Sequence, residues 1–262
     1  MTGFIGGGNM AEALIKGIVA GGRKEVLVSE PREERRKELE GTYGIKTTES
    51  NREVVNRCNI VILAVKPQQM GTVLEEISGE VTEERTIVSI AAGITLSYLS
   101  GRLGTKKIIR VMPNTPALVQ AGMSVMSYSD ALVGSEVDIV KTILMSVGRV
   151  IVLPEELMDA VTALSGGGPA FFALFTEAMI DAGEKLGLRK ADAAELAVQT
   201  LWGTAKMLND GMPAEKLRAM VTSPGGTTAE GLKIFEGDGL RDMVGKALQA
   251  AKSKAEELGR RG

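Results

Sequence analysis

The chain has 262 residues with 31 basic and 33 acidic side chains, a formal net charge of −2, and so enough length for a sizeable core and two ordinary domains. Near-neutral charge without a basic cluster argues against nucleic acid as the main partner. A single cysteine and no histidine exclude an internal disulfide framework, fit a reducing cytoplasm, and remove the commonest general acid–base group and metal ligand.

Met1 to Ile5 read as a short strand that starts at the first residue, so no signal peptide is expected. No apolar run is expected to be long enough to span a bilayer. Gly6-Gly7-Gly8-Asn9-Met10-Ala11 form a tight turn, and Glu12 to Ala20 the helix that it opens. The spacing is G-x-G-x-x-A. Gly6 permits the sharp turn, Gly8 lets a pyrophosphate approach the backbone, and small Ala11 lets helix and strand pack closely. The helix end adds unpaired N–H groups and a positive dipole end. A packing turn is the plainer alternative, but the strand–turn–helix context points to a dinucleotide site.

Glu25 to Ser29 form the second strand, followed by a charged helix to about Glu40. At the end of this strand an acid would bond the ribose hydroxyls of NAD, or a cation would meet the extra phosphate of NADP. Glu30 favours NAD, whereas Ser29, Arg32, Arg35 and Arg36 suit a phosphate or a solvated helix face. The coenzyme choice, NADP or NAD, stays open.

Asn51 is placed to cap a short helix over Arg52 to Arg57. Asn59 to Val65 is an apolar run suited to a strand buried on both faces, and it ends in Lys66-Pro67, with Pro67 at the first position of a new helix. Thr86 to Gly93 and Lys107 to Met112 repeat the theme, the second broken by Pro113-Asn114-Thr115-Pro116. Strands alternating with helices predict a parallel α/β sheet covered on both faces. Two further strands, Gly122 to Ser127 and Arg149 to Leu153, flank a helix over Leu132 to Val147.

From Glu155 onward only helices are predicted, at about 155–165, 169–187, 189–209, 213–221, 227–236 and 239–259. The stretch Ala170 to Phe175 with Met179 and Ile180 is apolar nearly all round, so it is buried within its domain or against another chain. The fold class is therefore α/β: a Rossmann-type dinucleotide-binding domain over 1–154, then an all-α domain over 155–262 suited to oligomerisation. Ser165-Gly166-Gly167-Gly168-Pro169 reads as a kink between helices. Ser223-Pro224-Gly225-Gly226-Thr227-Thr228 brings N–H donors and hydroxyls together at a helix start, as a carboxylate site or an ordinary cap would.

Read jointly, these motifs resemble the Δ1-pyrroline-5-carboxylate reductase family, the last enzymes of proline biosynthesis. The resemblance runs end to end through F-I-G-G-G-N-M-A at 4–11, A-V-K-P at 64–67, S-I-A-A-G-I at 89–94, M-P-N-T-P-A at 112–117 and S-P-G-G-T-T at 223–228. One departure is Gly167, where the family's loop usually has serine. The resemblance implies an interlocked homodimer, with larger rings an option, whose active sites are completed at the subunit interface. It implies a cytoplasmic enzyme with 1-pyrroline-5-carboxylate as substrate, L-proline as product, no metal, no nucleic acid and no membrane partner. Gly6, Gly7, Gly8, Asn9, Met10 and Ala11 would hold the pyrophosphate; Asn51 would contact the adenosine portion; Ser29, Glu30 and Arg32 would meet the ribose or its phosphate. Ala64, Val65, Lys66 and Pro67 with Ala91 and Ala92 would line the nicotinamide half. Ser223, Gly225, Gly226, Thr227 and Thr228 would bind substrate, with Thr228 at the imine nitrogen in the catalytic role.

A protonated cyclic imine is already an electrophile, so a histidine-free chain can serve by positioning its reactants. A β-hydroxyacid dehydrogenase shares this layout but resembles its kin in a lysine at the start of the helix after the glycine-rich loop. Ala170 to Ala182 contains none, and Lys185 lies about four turns along. A non-catalytic nucleotide sensor would have no need of Thr227 and Thr228 beside Gly225-Gly226.

Overall fold

In the computed structural model, which describes residues 1–261, eight strands form one sheet in the order β3-β2-β1-β4-β5-β6-β7-β8. The strands are β1 Thr2–Ile5, β2 Val26–Ser29, β3 Lys46–Thr48, β4 Ile60–Leu63, β5 Thr86–Ser89, β6 Ile108–Met112, β7 Gly122–Tyr128 and β8 Gly148–Val152. Between them run α1 Asn9–Ala20, α2 Glu33–Tyr43, α3 Asn51–Arg57, α4 Pro67–Ile77, α5 Leu96–Leu103 and α6 Gly134–Met145. After β8 come α7 Met158–Val161, α8 Gly168–Lys185, α9 Lys190–Asn209, α10 Ala214–Met220, α11 Thr227–Gly237 and α12 Leu240–Arg261.

Successive residues of a strand face opposite sides of a sheet, and the core obeys this. Val26, Val28, Ile60, Ile62 and Val88 join Leu14, Ile15 and Ile143 in one apolar layer. Leu27, Val61, Leu63 and Ile87 join Val54, Met70, Leu74 and Leu99 in the other. A fully buried side chain such as Leu14 is worth about 1.5–3 kcal/mol of apolar transfer.

One strand expectation is corrected, and one strand, β3, was not expected. The sheet is parallel except at β6–β7, which pair antiparallel; a short single helical turn over Thr115–Val119 is too small a crossover to return the chain parallel. The edge strand β3 carries Lys and Thr only and shows no apolar alternation.

The chain divides into two compact units: Met1–Gly167 together with the end of the chain from Ala250, and Gly168–Gln249. Pro154, where the sequence reading divides the chain, follows β8 directly. Beyond it, Glu155 Oε1 accepts the N–H of Leu96 at 2.8 Å and Arg110 Nη1 at 3.1 Å. Arg110 also reaches Asp159 at 3.4 Å, and Asn114 Nδ2 donates to the Ser165 carbonyl at 3.2 Å. These bonds hold 155–167 to the sheet. The end of α12 packs on Gly93, where an added Cβ would lie 3.1 Å from that of Leu258.

The helical run Glu155–Lys185 is long and apolar enough, by length and composition, to cross a membrane, which corrects the expectation that no run would be. Its apolar side chains stay largely uncovered within the chain: Phe172 is 63% and Leu174 65% exposed. Helix α8 is therefore not buried within its own unit, so that option of the sequence reading is not met.

Candidate dinucleotide cleft and the turn at 223–228

The sheet order reverses between β1 and β4, the position at which α/β sheets bind ligands beyond their strand ends. A cavity of about 730 Å³ opens there, lined among others by Gly6, Gly7, Gly8, Ala64, Val65 and Lys66. Gly6 has φ +97°, and a Cβ on it would lie 2.8 Å from the Ala64 carbonyl oxygen. Only glycine makes that turn without strain. Gly8 is the N-cap of α1, and the space its side chain would occupy is open. Its neighbours Asn9 and Met10 begin the helix, where backbone N–H groups have no intrahelical acceptor. Ala11 is buried in the core beside the strands. This cradle fits a pyrophosphate: an open approach to the backbone, free donors and a helix dipole.

Another part of the cavity wall is built from the tips of β2 and α3. Ser29 Oγ donates to Asn51 Oδ1 at 2.6 Å, and Asn51 Nδ2 donates to Glu76 Oε2 at 2.7 Å. Asn51 is not the helix cap expected of it: Ser50 takes that place, its hydroxyl accepting the Glu53 N–H at 3.2 Å. Asn51 is the first helical residue instead, and its side chain lines the cavity. Glu30 accepts the Gly7 N–H at 3.1 Å and the Arg32 Nε at 2.8 Å. Burial pushes its carboxyl up, but the bonds from Arg32 and Gly7 more than offset this and hold it below the ordinary 4.5.

The structure thus gathers Gly6, Gly7, Gly8, Ser29, Glu30, Arg32, Asn51, Ala64, Val65 and Lys66 around one cavity. Asn9, Met10 and Ala11 stand in the first turn of α1, Pro67 is the first residue of α4, and Ala91 and Ala92 follow β5; none of these six lines the cavity. Arg35 and Arg36, offered as phosphate ligands, are occupied elsewhere. Arg35 bonds the Gly7 carbonyl at 2.8 Å and also Glu12 and Glu38. Arg36 bonds the Glu30 carbonyl at 2.7 Å and also Glu49. Sequence reasoning missed Gln68, Thr72 and Glu76, which line the cavity from α4. Their i, i+4, i+8 spacing places them on one helix face, a polar stripe that was available as a signal.

The other motif lies in the second unit. Gly225 has φ +70° and Gly226 is the N-cap of α11, with no side-chain cap bond. Ser223, Gly225, Thr227 and Thr228 are exposed. The Gly226 N–H donates to the Ser223 carbonyl at 3.0 Å, which closes the turn and leaves the first N–H groups of α11 as the donors toward solvent. Among the described residues no cluster of three or more His, Cys, Asp or Glu side chains could hold a metal. Burial raises the Cys58 thiol to about 11, so it is no nucleophile.

Residues 155–258 match the family model of pyrroline-5-carboxylate reductase dimerisation, and residues 1–93 that of NADP oxidoreductase, coenzyme F420-dependent. The pyrroline-5-carboxylate reductase of Pseudomonas aeruginosa is 41% identical over 260 residues, covering 97% of this chain and 95% of that protein. The chain belongs to the pyrroline-5-carboxylate reductase family. The family's enzyme from Coxiella burnetii superposes with a TM-score of 0.92 at 36% identity, covering 98% of this chain and 97% of that one. Another member, from Plasmodium falciparum and solved with NADP bound, gives 0.87 at 32% identity, with 98% and 97% covered. The dimerisation region of the family includes α8, the helix whose phenylalanines this chain leaves uncovered.

Proposed function

We propose that this chain reduces 1-pyrroline-5-carboxylate to L-proline with NADH or NADPH, the last step of proline biosynthesis, in the cytoplasm. One observation carries the reading. A chain alignable over nearly its whole length with reductases of that name combines a pyrophosphate-shaped glycine cradle with a glycine-capped helix start bearing Thr227 and Thr228.

Gly6, Gly7 and Gly8 with the N–H groups of Asn9 and Met10 hold the pyrophosphate, and Ala11 keeps the helix close to the strand. Ser29, Glu30, Arg32 and Asn51 hold the adenosine ribose. Ala64, Val65, Lys66 and Pro67, with Ala91 and Ala92, form the nicotinamide half. When bound, the reduced nicotinamide supplies the hydride that adds to the imine carbon. The protein supplies position and charge complementarity. The substrate carboxylate sits at the N-terminus of α11, on the N–H groups of Thr227 and Thr228 and the Ser223 hydroxyl, with Gly225 and Gly226 shaping the turn. The Thr228 hydroxyl accepts the iminium N–H and keeps that proton on nitrogen as the ring becomes a secondary amine. No side chain of shifted pKa is required, which suits a chain without histidine.

The working unit of this reading is an interlocked homodimer built on the apolar face of α8, with membrane and nucleic acid absent from its partners. Sedimentation should give at least a dimer, and a stable monomer would contradict it. The activity is tested by following reduced-coenzyme absorbance with 1-pyrroline-5-carboxylate. Oxidation coupled to proline formation is expected; no oxidation with either coenzyme would end the reading.

A further inference from the structure

Glu30 is buried at the end of β2, and both of its oxygens are engaged. Oε2 accepts the Gly7 N–H at 3.1 Å; Oε1 accepts the Arg32 N–H at 3.2 Å and its Nε at 2.8 Å. We propose that Glu30 selects the coenzyme, favouring the free 2′-hydroxyl of NADH over the 2′-phosphate of NADPH. The inference rests on the coenzyme site described above and names its specificity.

Position comes first. Ser29 pairs with Ile5 across β1 and β2, so Glu30 stands beside the glycine turn, where the ribose of a bound dinucleotide lies in this topology. Oε2, which accepts one bond only, has a lone pair left to accept a ribose hydroxyl. Immobility comes second. The Gly7 bond comes from the glycine turn itself, so the carboxylate cannot swing away without uncovering a buried N–H. Its ionised form is the favoured one, because the bonds from Arg32 and Gly7 outweigh burial.

The surrounding charge decides the sign. A 2′-phosphate brings close to two negative charges at neutral pH and needs uncommitted cations. Arg35 is engaged by Glu12 and Glu38, and Arg36 by Glu49. Arg32 is neutralised by Glu30 itself. The cavity wall otherwise offers Lys66 against Glu76, which leaves no net positive charge for the phosphate. Placing it against a fixed carboxylate is a like-charge contact in a partly dry site, where such contacts are costly.

The test is the dissociation constant of NADH and of NADPH, read from nicotinamide fluorescence on the full-length protein and on Glu30→Gln. Glutamine keeps the shape and can still accept the Gly7 N–H. The wild type should bind NADH at least about tenfold more tightly than NADPH, and E30Q should narrow the ratio by strengthening NADPH. Equal or tighter NADPH binding by the wild type would overturn the inference, as would an unchanged ratio in E30Q. Should E30Q fail to fold, competition of 5′-AMP against adenosine 2′,5′-bisphosphate on the wild type decides the same question, with the bisphosphate expected to be the weaker. NADPH preference with imine reduction intact would sink the selectivity alone. Failure to bind either coenzyme would sink the site with it.

Discussion

Ser29 Oγ and Asn51 Oδ1 lie 2.6 Å apart, with the serine donating. The bond joins the tip of β2 to the first turn of α3, and Asn51 continues it to Glu76 on α4. Three elements of the cavity wall are thereby set by one side-chain amide. Asn51→Ala removes both bonds and leaves the Ser50 cap untouched. Coenzyme binding should weaken by about 1–2 kcal/mol, roughly tenfold in Kd, with the thermal midpoint little changed. Calorimetric titration checks this; wild-type affinity would remove Asn51 from the site.

The two outer glycines of the turn should fail differently when substituted. Gly6→Ala meets both a positive φ and the Ala64 carbonyl, so it should destabilise the fold by about 1–3 kcal/mol. Gly8→Ala points into open space and should leave the thermal midpoint unchanged while weakening coenzyme binding. Equal loss of stability in both would contradict the cradle geometry.

Glu12 accepts bonds from Arg35 and from Tyr43, the latter at 2.8 Å. The Arg35 bond is the largest influence and, with Tyr43, outweighs burial, so the Glu12 carboxyl lies below the ordinary 4.5 in the folded chain. A carboxyl depressed on folding stabilises fully above its unfolded pKa and loses that contribution as pH falls through the folded value. The thermal midpoint should therefore drop more steeply below about pH 4.5 in the wild type than in Glu12→Gln. Parallel curves would contradict this. Tyr43, raised to about 12 by burial and then by Glu12, stays protonated throughout.

Thr228→Ala should lower kcat/KM for the imine by about 1–3 kcal/mol, the scale of a bond to a charged group. Coenzyme affinity should not move, because the contact proposed for Thr228 is to the substrate alone. Unchanged kinetics would take the hydroxyl out of the chemistry.

What was legible follows from how strongly each feature is written. The glycine turn and the buried strands are enforced by backbone sterics and by apolar runs, so Gly6 to Gly8 and Ile60–Leu63 were readable within a residue or two. Ser50 and Asn51 are both good caps, and type alone could not choose between them; the Ser29 bond that claims Asn51 is a tertiary contact. Strand β3 is a polar edge and carries no apolar signal. The reversal at β7 depends on a connection of a few residues, which periodicity does not report. The bonds by which Arg110 and Asn114 tie residues 155–167 to the sheet are tertiary contacts, visible only once folded. The turn at 223–228 stands at a helix start as expected, and its internal bond, which uses up the Gly226 N–H and leaves those of Thr227 and Thr228 as donors, is a detail of backbone geometry.

Direct hydride delivery to the imine carbon is the step on which the proposed activity depends. The decisive measurement uses coenzyme dideuterated at the nicotinamide carbon that gives up hydride, with the proline formed read by mass spectrometry. Proline carrying one deuterium on the ring carbon that had been doubly bonded to nitrogen is the expected result. Unlabelled proline, or label lost to solvent before it reaches the ring, would contradict direct transfer.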